Sequence, residues 1–131
     1  MAYDKNNIFA RILRGEIPCK KVYEDTFALA FEDIAPAAPV HVLVIPKGEY
    51  ASLHDFASGA PKDMVSGFFD SVTKVAAQLG LEDSGYRIIS NHGPDASQTV
   101  HHFHVHICGG RTMGKLLLFG VLIRRRPRIS S

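Results

Sequence analysis

From His102 to Ile107 the chain alternates without a break, with His102, His104 and His106 at every second place and Phe103, Val105 and Ile107 between them. Successive side chains on a strand point to opposite faces, so this segment predicts a strand with three imidazoles on one side and three apolar groups on the other. The apolar face calls for a core to cover it. The histidine face calls for a different account, because three imidazoles in a row load one face with far more polar groups than a single satisfied core histidine would. Two chemistries use such an array. Alternating histidines can ligate a metal ion, or they can act as nucleophile, acid and base around a phosphate. Their sequence neighbours Asn91, Gly93, Ser97, Gln98 and Thr99 supply amide and hydroxyl groups, which suit a phosphate. Catalytic zinc sites usually add carboxylates that orient the imidazoles, and no carboxylate motif stands beside these.

The rest of the chain provides the layers such a strand needs. Met64, Val65, Phe68, Phe69, Val72, Val75, Ala76 and Leu79 recur three and four apart between Pro61 and Gly80. That spacing predicts one long amphipathic helix, with proline early and glycine at its end. Ile8, Phe9, Ile12 and Leu13 predict a short helix, capped by Asp4 or Asn6 and ended by Gly15. Val22-Tyr23, Phe27 to Phe31, Val40 to Ile45 and Tyr86 to Asn91 read as further strands, separated by short polar or proline-bearing breaks. The expected fold class is α+β, a sheet of about five mainly antiparallel strands with one long and one short helix. A length of 131 residues suits a single domain with one core.

Charge and composition exclude more than they identify. A formal charge of +2 does not mark a general nucleic-acid binder, and Arg124, Arg125, Arg126 and Arg128 read as a solvated basic end. The segment Met1 to Asn7 is polar, and the longest apolar run, Leu116 to Ile123, falls far short of the ~20 residues of a membrane span. The expectation is a soluble, cytoplasmic protein with no membrane partner. Cys19 and Cys108 form no CxxC pair and read as free thiols.

The stretch from Asn91 to Arg111, with His-x-His-x-His at its centre, Asn-x-Gly before it and Gly-Gly-Arg after it, resembles the signature of the histidine triad (HIT) family. Ile8-Phe9, Phe31-Glu32-Asp33-Ile34 and Ala38 to Lys47 resemble the Hint branch of that family in the same order and spacing. The resemblance implies a HIT domain over residues 1–111 and an enzyme that cleaves the phosphorus–nitrogen or a related acyl-phosphate bond of a purine nucleoside 5'-monophosphate derivative, of AMP or GMP type, as a homodimer and without a cofactor. It implies that His104 is the nucleophile and becomes transiently nucleotidylated, its other nitrogen held by the backbone carbonyl of His102. His102, buttressed by His41, would keep the array oriented. His106 and Thr99 would contact the phosphate, with Thr99 helping to protonate the leaving group. Asp33 would bind the ribose hydroxyls; Ile8, Phe9, Phe31 and Ile34 would form the purine slot; Asn91 and Gln98 would complete the nucleotide site. His54, His92 and His101 match no such role.

Three departures qualify that likeness. Some bacterial members carry a zinc site with a cysteine pair in the first helix, and here Asn7 and Ala10 stand at those places, so no structural metal is expected. Thr99 replaces a common serine, keeping the hydroxyl but restricting its rotamers. After Arg111 the relatives' tryptophan-bearing tail gives way to residues 112–131, which contain an apolar run and no Trp, leaving substrate preference open. Two rivals remain: a nucleotide-binding adaptor with vestigial turnover, and a metal-dependent hydrolase that uses the histidines as ligands.

Overall fold

The computed structural model describes residues 2–116. The apolar run beyond Leu116 and the four C-terminal arginines lie outside the described residues.

Three α-helices, α1 (Ile8–Leu13), α2 (Leu53–Gly59) and α3 (Lys62–Gln78), accompany five strands, β1 (Lys21–Glu24), β2 (Ala28–Glu32), β3 (Val40–Pro46), β4 (Arg87–Ile89) and β5 (Val105–Gly109). The strands form one sheet in the order β1-β2-β3-β5-β4. Every pairing is antiparallel. This is the expected α+β architecture with one helix more. The extra helix, α2, begins at Ser52, whose hydroxyl accepts from the Asp55 amide at 3.2 Å. Ser-x-x-Asp is a recognisable helix-start signal.

Local chemistry explains the boundaries. The long helix starts after Pro61 and stops at Leu79; Gly80 then takes φ +75, and its N–H and that of Leu81 return to carbonyls of the last turn. The short helix is capped by Asn7, whose side chain accepts from the Ala10 amide at 2.9 Å. Neither Asp4 nor Asn6 serves as that cap, because Asp4 bonds instead to the amide of Asn6. The β1–β2 turn is tied by Asp25, which accepts from the amides of Phe27 and Ala28 and from the hydroxyls of Tyr23 and Ser71.

The sheet has two differently covered faces. On one, Val42, Val44, Val105, Ile107 and Phe103 pack with Phe56 of α2 and Phe68, Val72 and Val75 of α3. Phe56 stacks on Phe103 at 4.8 Å and meets Phe68 edge-on at 5.2 Å. On the other, Leu29, Phe31, Leu43 and Ile45 pack with Phe9 of α1. β3 pairs with β5 so that Leu43 faces His106 and His41 faces Cys108. The histidines therefore share the α1 side of the sheet, while Phe103, Val105 and Ile107 lie in the core under α3. The paired part of β5 begins at Val105, so His102 and His104 precede the ladder rather than lying within it. Their backbone is held instead by the Phe103 amide donating to Tyr50 O at 2.7 Å.

Candidate active site

Each histidine of the array has its ring fixed by a neighbour, and the neighbours assign the protons. His104 Nδ1 lies 2.7 Å from the carbonyl of His102. A carbonyl only accepts, so the proton sits on Nδ1 and the lone pair is left on Nε2. His102 Nε2 lies 3.1 Å from Pro46 O and must donate, and its Nδ1 accepts from the Tyr3 hydroxyl at 2.5 Å. The Ala37 amide donates to His41 Nδ1 at 3.0 Å, which puts the His41 proton on Nε2, 2.9 Å from His106 Nδ1. His106 thereby keeps its proton on Nε2 and can present it to an anion.

This arrangement corrects one expectation. His41 supports His106, not His102, because the β3–β5 register sets His41 opposite Cys108, next to His106 on the same face and well past His102. The support of His102 comes from Tyr3 and from the Pro46 carbonyl. Tyr3 carried one visible signal, a lone aromatic in a polar N-terminal segment, and nothing in the local pattern links it to a residue about a hundred positions away.

Burial sets the charge state. His102 is fully buried and His104 is 8% exposed. Desolvation pushes His102 and His106 down to about 4, against an ordinary 6.5, and the neighbouring imidazoles add to the effect. Desolvation also lowers His104, opposed by its bond to the His102 carbonyl and by the Asp33 carboxylate. All three are neutral at pH 7, as a nucleophilic imidazole must be.

A carboxylate does stand nearby, although not in the sequence neighbourhood. Asp33, from the loop between β2 and β3, places Oδ2 3.4 Å from His41 Nε2, and its Oδ1 accepts from the Ala35 amide at 2.8 Å. Asp33, His41 and His106 each offer a ligand atom within 4.8 Å of the others, making them the set among the described residues that could hold a metal ion.

The remaining expected residues divide between a buried base and an open rim. Phe9 and Phe31 pack together at 5.6 Å, and Phe9 meets His104 edge-on at 4.9 Å, so these two back the site. Ile8 is 44% exposed and Ile34 98%, so both present apolar surface to solvent. A cleft of about 620 Å3 runs past Ile8, Gln98 and Thr99, and another of about 700 Å3 past His41, Asn91, His106 and Arg111. Gln98 is spent on backbone groups, accepting from the Gly93 amide and donating to the carbonyl of Val100 in its own loop and to that of Ala51 in the segment before α2. Its part is to shape the turn that carries Thr99, where Ser97 adopts φ 59. His54, His92 and His101 are exposed. Asn7 and Ala10, in place of a cysteine pair, cap α1 and fill the core under it.

The comparisons with known proteins agree with this fold. The HIT domain pattern matches residues 14–113. An uncharacterized 13.2 kDa HIT-like protein of Azospirillum brasilense is 53% identical over 118 residues, covering 90% of this chain and 97% of its own length. A HIT family hydrolase from Legionella pneumophila superposes with a TM-score of 0.76 at 39% identity, over 83% of this chain and 96% of the other. A histidine triad nucleotide-binding protein from Candida albicans gives 0.71 at 32% identity, over 86% of each chain. With its alternating histidines on one face of a five-stranded antiparallel sheet and a pattern match over most of its length, the chain belongs to the histidine triad (HIT) family.

Proposed function

We propose that this protein is a nucleotide-binding hydrolase of the Hint type, which cleaves the phosphorus–nitrogen bond of a purine nucleoside 5'-phosphoramidate, or a related acyl-phosphate bond, through a nucleotidylated His104. The observation that carries this reading is the 2.7 Å contact between His104 Nδ1 and the His102 carbonyl, which leaves a neutral Nε2 lone pair free to attack. In the first step Nε2 bonds to the α-phosphorus and the bond to the leaving amine breaks. The leaving amine takes the Thr99 hydroxyl proton, which Thr99 recovers from solvent. The imidazolium so formed keeps its Nδ1 proton on the His102 carbonyl, which stabilises the positive charge. Water then attacks phosphorus, the phosphorus–Nε2 bond breaks, and the water's proton passes to solvent, leaving the nucleoside monophosphate and neutral His104. His106 Nε2–H donates to a phosphate oxygen and Asn91 lies on the same rim. Asp33 accepts from the ribose hydroxyls, and the purine covers Ile8 and Ile34 over the floor of Phe9 and Phe31.

Steady-state turnover of adenosine 5'-phosphoramidate tests this. His104→Ala should lower kcat by three or more powers of ten, since removal of even one acid or base group commonly costs ~10² to 10⁴. Nucleotide affinity should hardly change, because Asp33 and the apolar slot bind without His104. Retention of turnover in His104→Ala would sink the proposal, and nucleotide binding with no turnover in the wild type would favour an adaptor.

A second reading has one observation in its favour, the convergence of ligand atoms from Asp33, His41 and His106. A zinc ion accepts such a set. The hydrogen bond from His41 Nε2 to His106 Nδ1, with Asp33 Oδ2 3.4 Å from the same His41 nitrogen, already gives these atoms a role without a metal. Activity lost in chelator and restored by zinc would establish the second reading, and activity that survives exhaustive chelation would rule it out.

We also propose a homodimer in the cytoplasm. β4 ends the sheet with Ile88 48% exposed, and Phe69 on α3 is 37% exposed. A sheet edge that no other strand among the described residues pairs invites a second copy. Among the described residues no helix is long and apolar enough to cross a membrane, and Cys19 and Cys108 are free thiols. Sedimentation showing monomer alone at micromolar concentration would contradict the dimer.

A further inference from the structure

We propose that Tyr3 is a positioning residue for the nucleophile, acting through its hydroxyl on His102 and through the His102 carbonyl on His104; the inference rests on the reading that His104 attacks phosphorus. The His102 imidazole is fully buried and has two polar contacts, one on each nitrogen. Pro46 O can only accept, so it claims the Nε2 proton and leaves Nδ1 as a bare lone pair. The Tyr3 hydroxyl, 2.5 Å away, is the donor that satisfies it. The Tyr3 ring also meets the imidazole edge-on, with centroids 5.7 Å apart. His102 is thus gripped from both sides in one tautomer and one orientation. Its own carbonyl points the other way, to His104 Nδ1. A chain of three groups therefore runs from the Tyr3 hydroxyl to the attacking nitrogen.

The N-terminal segment is built to hold Tyr3 there. Asn7 donates from its amide side chain to Asp4 O at 2.8 Å and from its backbone to the same carbonyl at 3.2 Å, while Asp4 Oδ1 accepts from the Asn6 amide. Arg14 donates to Lys5 O at 2.8 Å. These bonds fasten residues 4–7 to both ends of α1, the helix whose Phe9 touches the His104 ring. Burial raises the Tyr3 hydroxyl above its ordinary 10.0, so it keeps the proton it must donate. Among the described residues no buried side-chain polar atom lacks a partner, and removing this hydroxyl would orphan one, the Nδ1 of His102.

Tyr3→Phe removes the hydroxyl and keeps the ring. With adenosine 5'-phosphoramidate we expect kcat to fall by about ten- to a hundredfold while KM stays within about twofold, since small misplacements of a reacting group cost rates of this order. Imidazole 15N spectra of the ligand-free protein should show wild-type His102 protonated on Nε2 with a hydrogen-bonded Nδ1, and in Tyr3→Phe the Nδ1 resonance should move to the position of an unbonded nitrogen. A folded variant with unchanged kcat overturns the proposal, whatever its melting temperature. So does a lower kcat without movement of the His102 signal. If Tyr3→Phe fails to fold, the wild-type spectrum still decides, because a His102 proton on Nδ1 would exclude the Tyr3 bond as described. The spectra do not depend on turnover, so a wild type that leaves phosphoramidates intact would count against the proposed function and not against the Tyr3–His102 link.

Discussion

At the scale of single residues, the site is a set of proton assignments enforced by backbone groups. Three carbonyl or amide partners, on His102, Pro46 and Ala37, set which nitrogen of His104, His102 and His41 carries hydrogen. The outcome is a lone pair on His104 and a donor on His106, the pairing that attack on an anionic phosphorus requires. A pH dependence follows. His104 must be neutral to attack, and desolvation holds it below the ordinary 6.5. The acid limb of kcat/KM should therefore have its midpoint below 6.5, and a midpoint at or above it would mean that the free enzyme's nucleophile is not this buried imidazole. The three histidines and their shared face were legible because period two survives in the sequence. The partner of His41 was not, because it depends on the register by which β3 and β5 pair, and register is decided by contacts across the sheet. Asp33 was expected at a ribose from the family resemblance, but its place beside His41 was not foreseen, since a loop between two strands brings it there.

At the scale of elements, the helices were readable wherever apolar spacing was regular, as in α3. The shorter α2 escaped notice because about two turns around Phe56 give little periodicity, although Ser52-x-x-Asp55 marked its start. Close approach, rather than periodicity, governs Gly67. A Cβ there would lie 2.6 Å from the Phe27 ring, on the buried side of α3. Gly67→Ala should gain a little helix propensity and lose more to the clash, lowering stability by about 1–3 kcal/mol in denaturant melts. Because Phe27 belongs to the turn before β2, on the side of the sheet away from the histidines, kcat at a temperature where the variant is folded should be unchanged. A stability equal to or above that of the wild type would show that Phe27 yields freely. Gly110 is constrained differently, by φ +96 together with Pro39 Cβ at 2.9 Å, which accounts for glycine in the Gly-Gly-Arg turn.

For the whole molecule, the same desolvation that readies the site makes folding sensitive to acid. The unfolded chain binds a proton at His102 and at His106 near 6.5, whereas the folded chain does so only near 4. Between those values the unfolded state holds more protons, so stability falls as pH drops from 6.5 towards 4 and the contribution is gone below that. For the fully buried His102 a displacement of this size corresponds to about 3 kcal/mol at most. Urea melts from pH 7 to pH 4 should show the loss, and His102→Gln should flatten it; a profile indifferent to pH over that window would contradict buried neutral histidines. The sheet of about five strands and the long helix over one of its faces followed from alternation and helical spacing, but the joining of distant residues such as Tyr3 and His102 is a property of the assembled fold. The central claim is that His104 forms a covalent bond to phosphorus during turnover. Rapid acid-free quenching of the wild type with adenosine 5'-phosphoramidate labelled in the phosphate, followed by peptide mapping, should trap one nucleotidyl group per chain on His104, bound through an acid-labile phosphorus–nitrogen bond. Label on His102 or His106, or none despite turnover, would contradict the account.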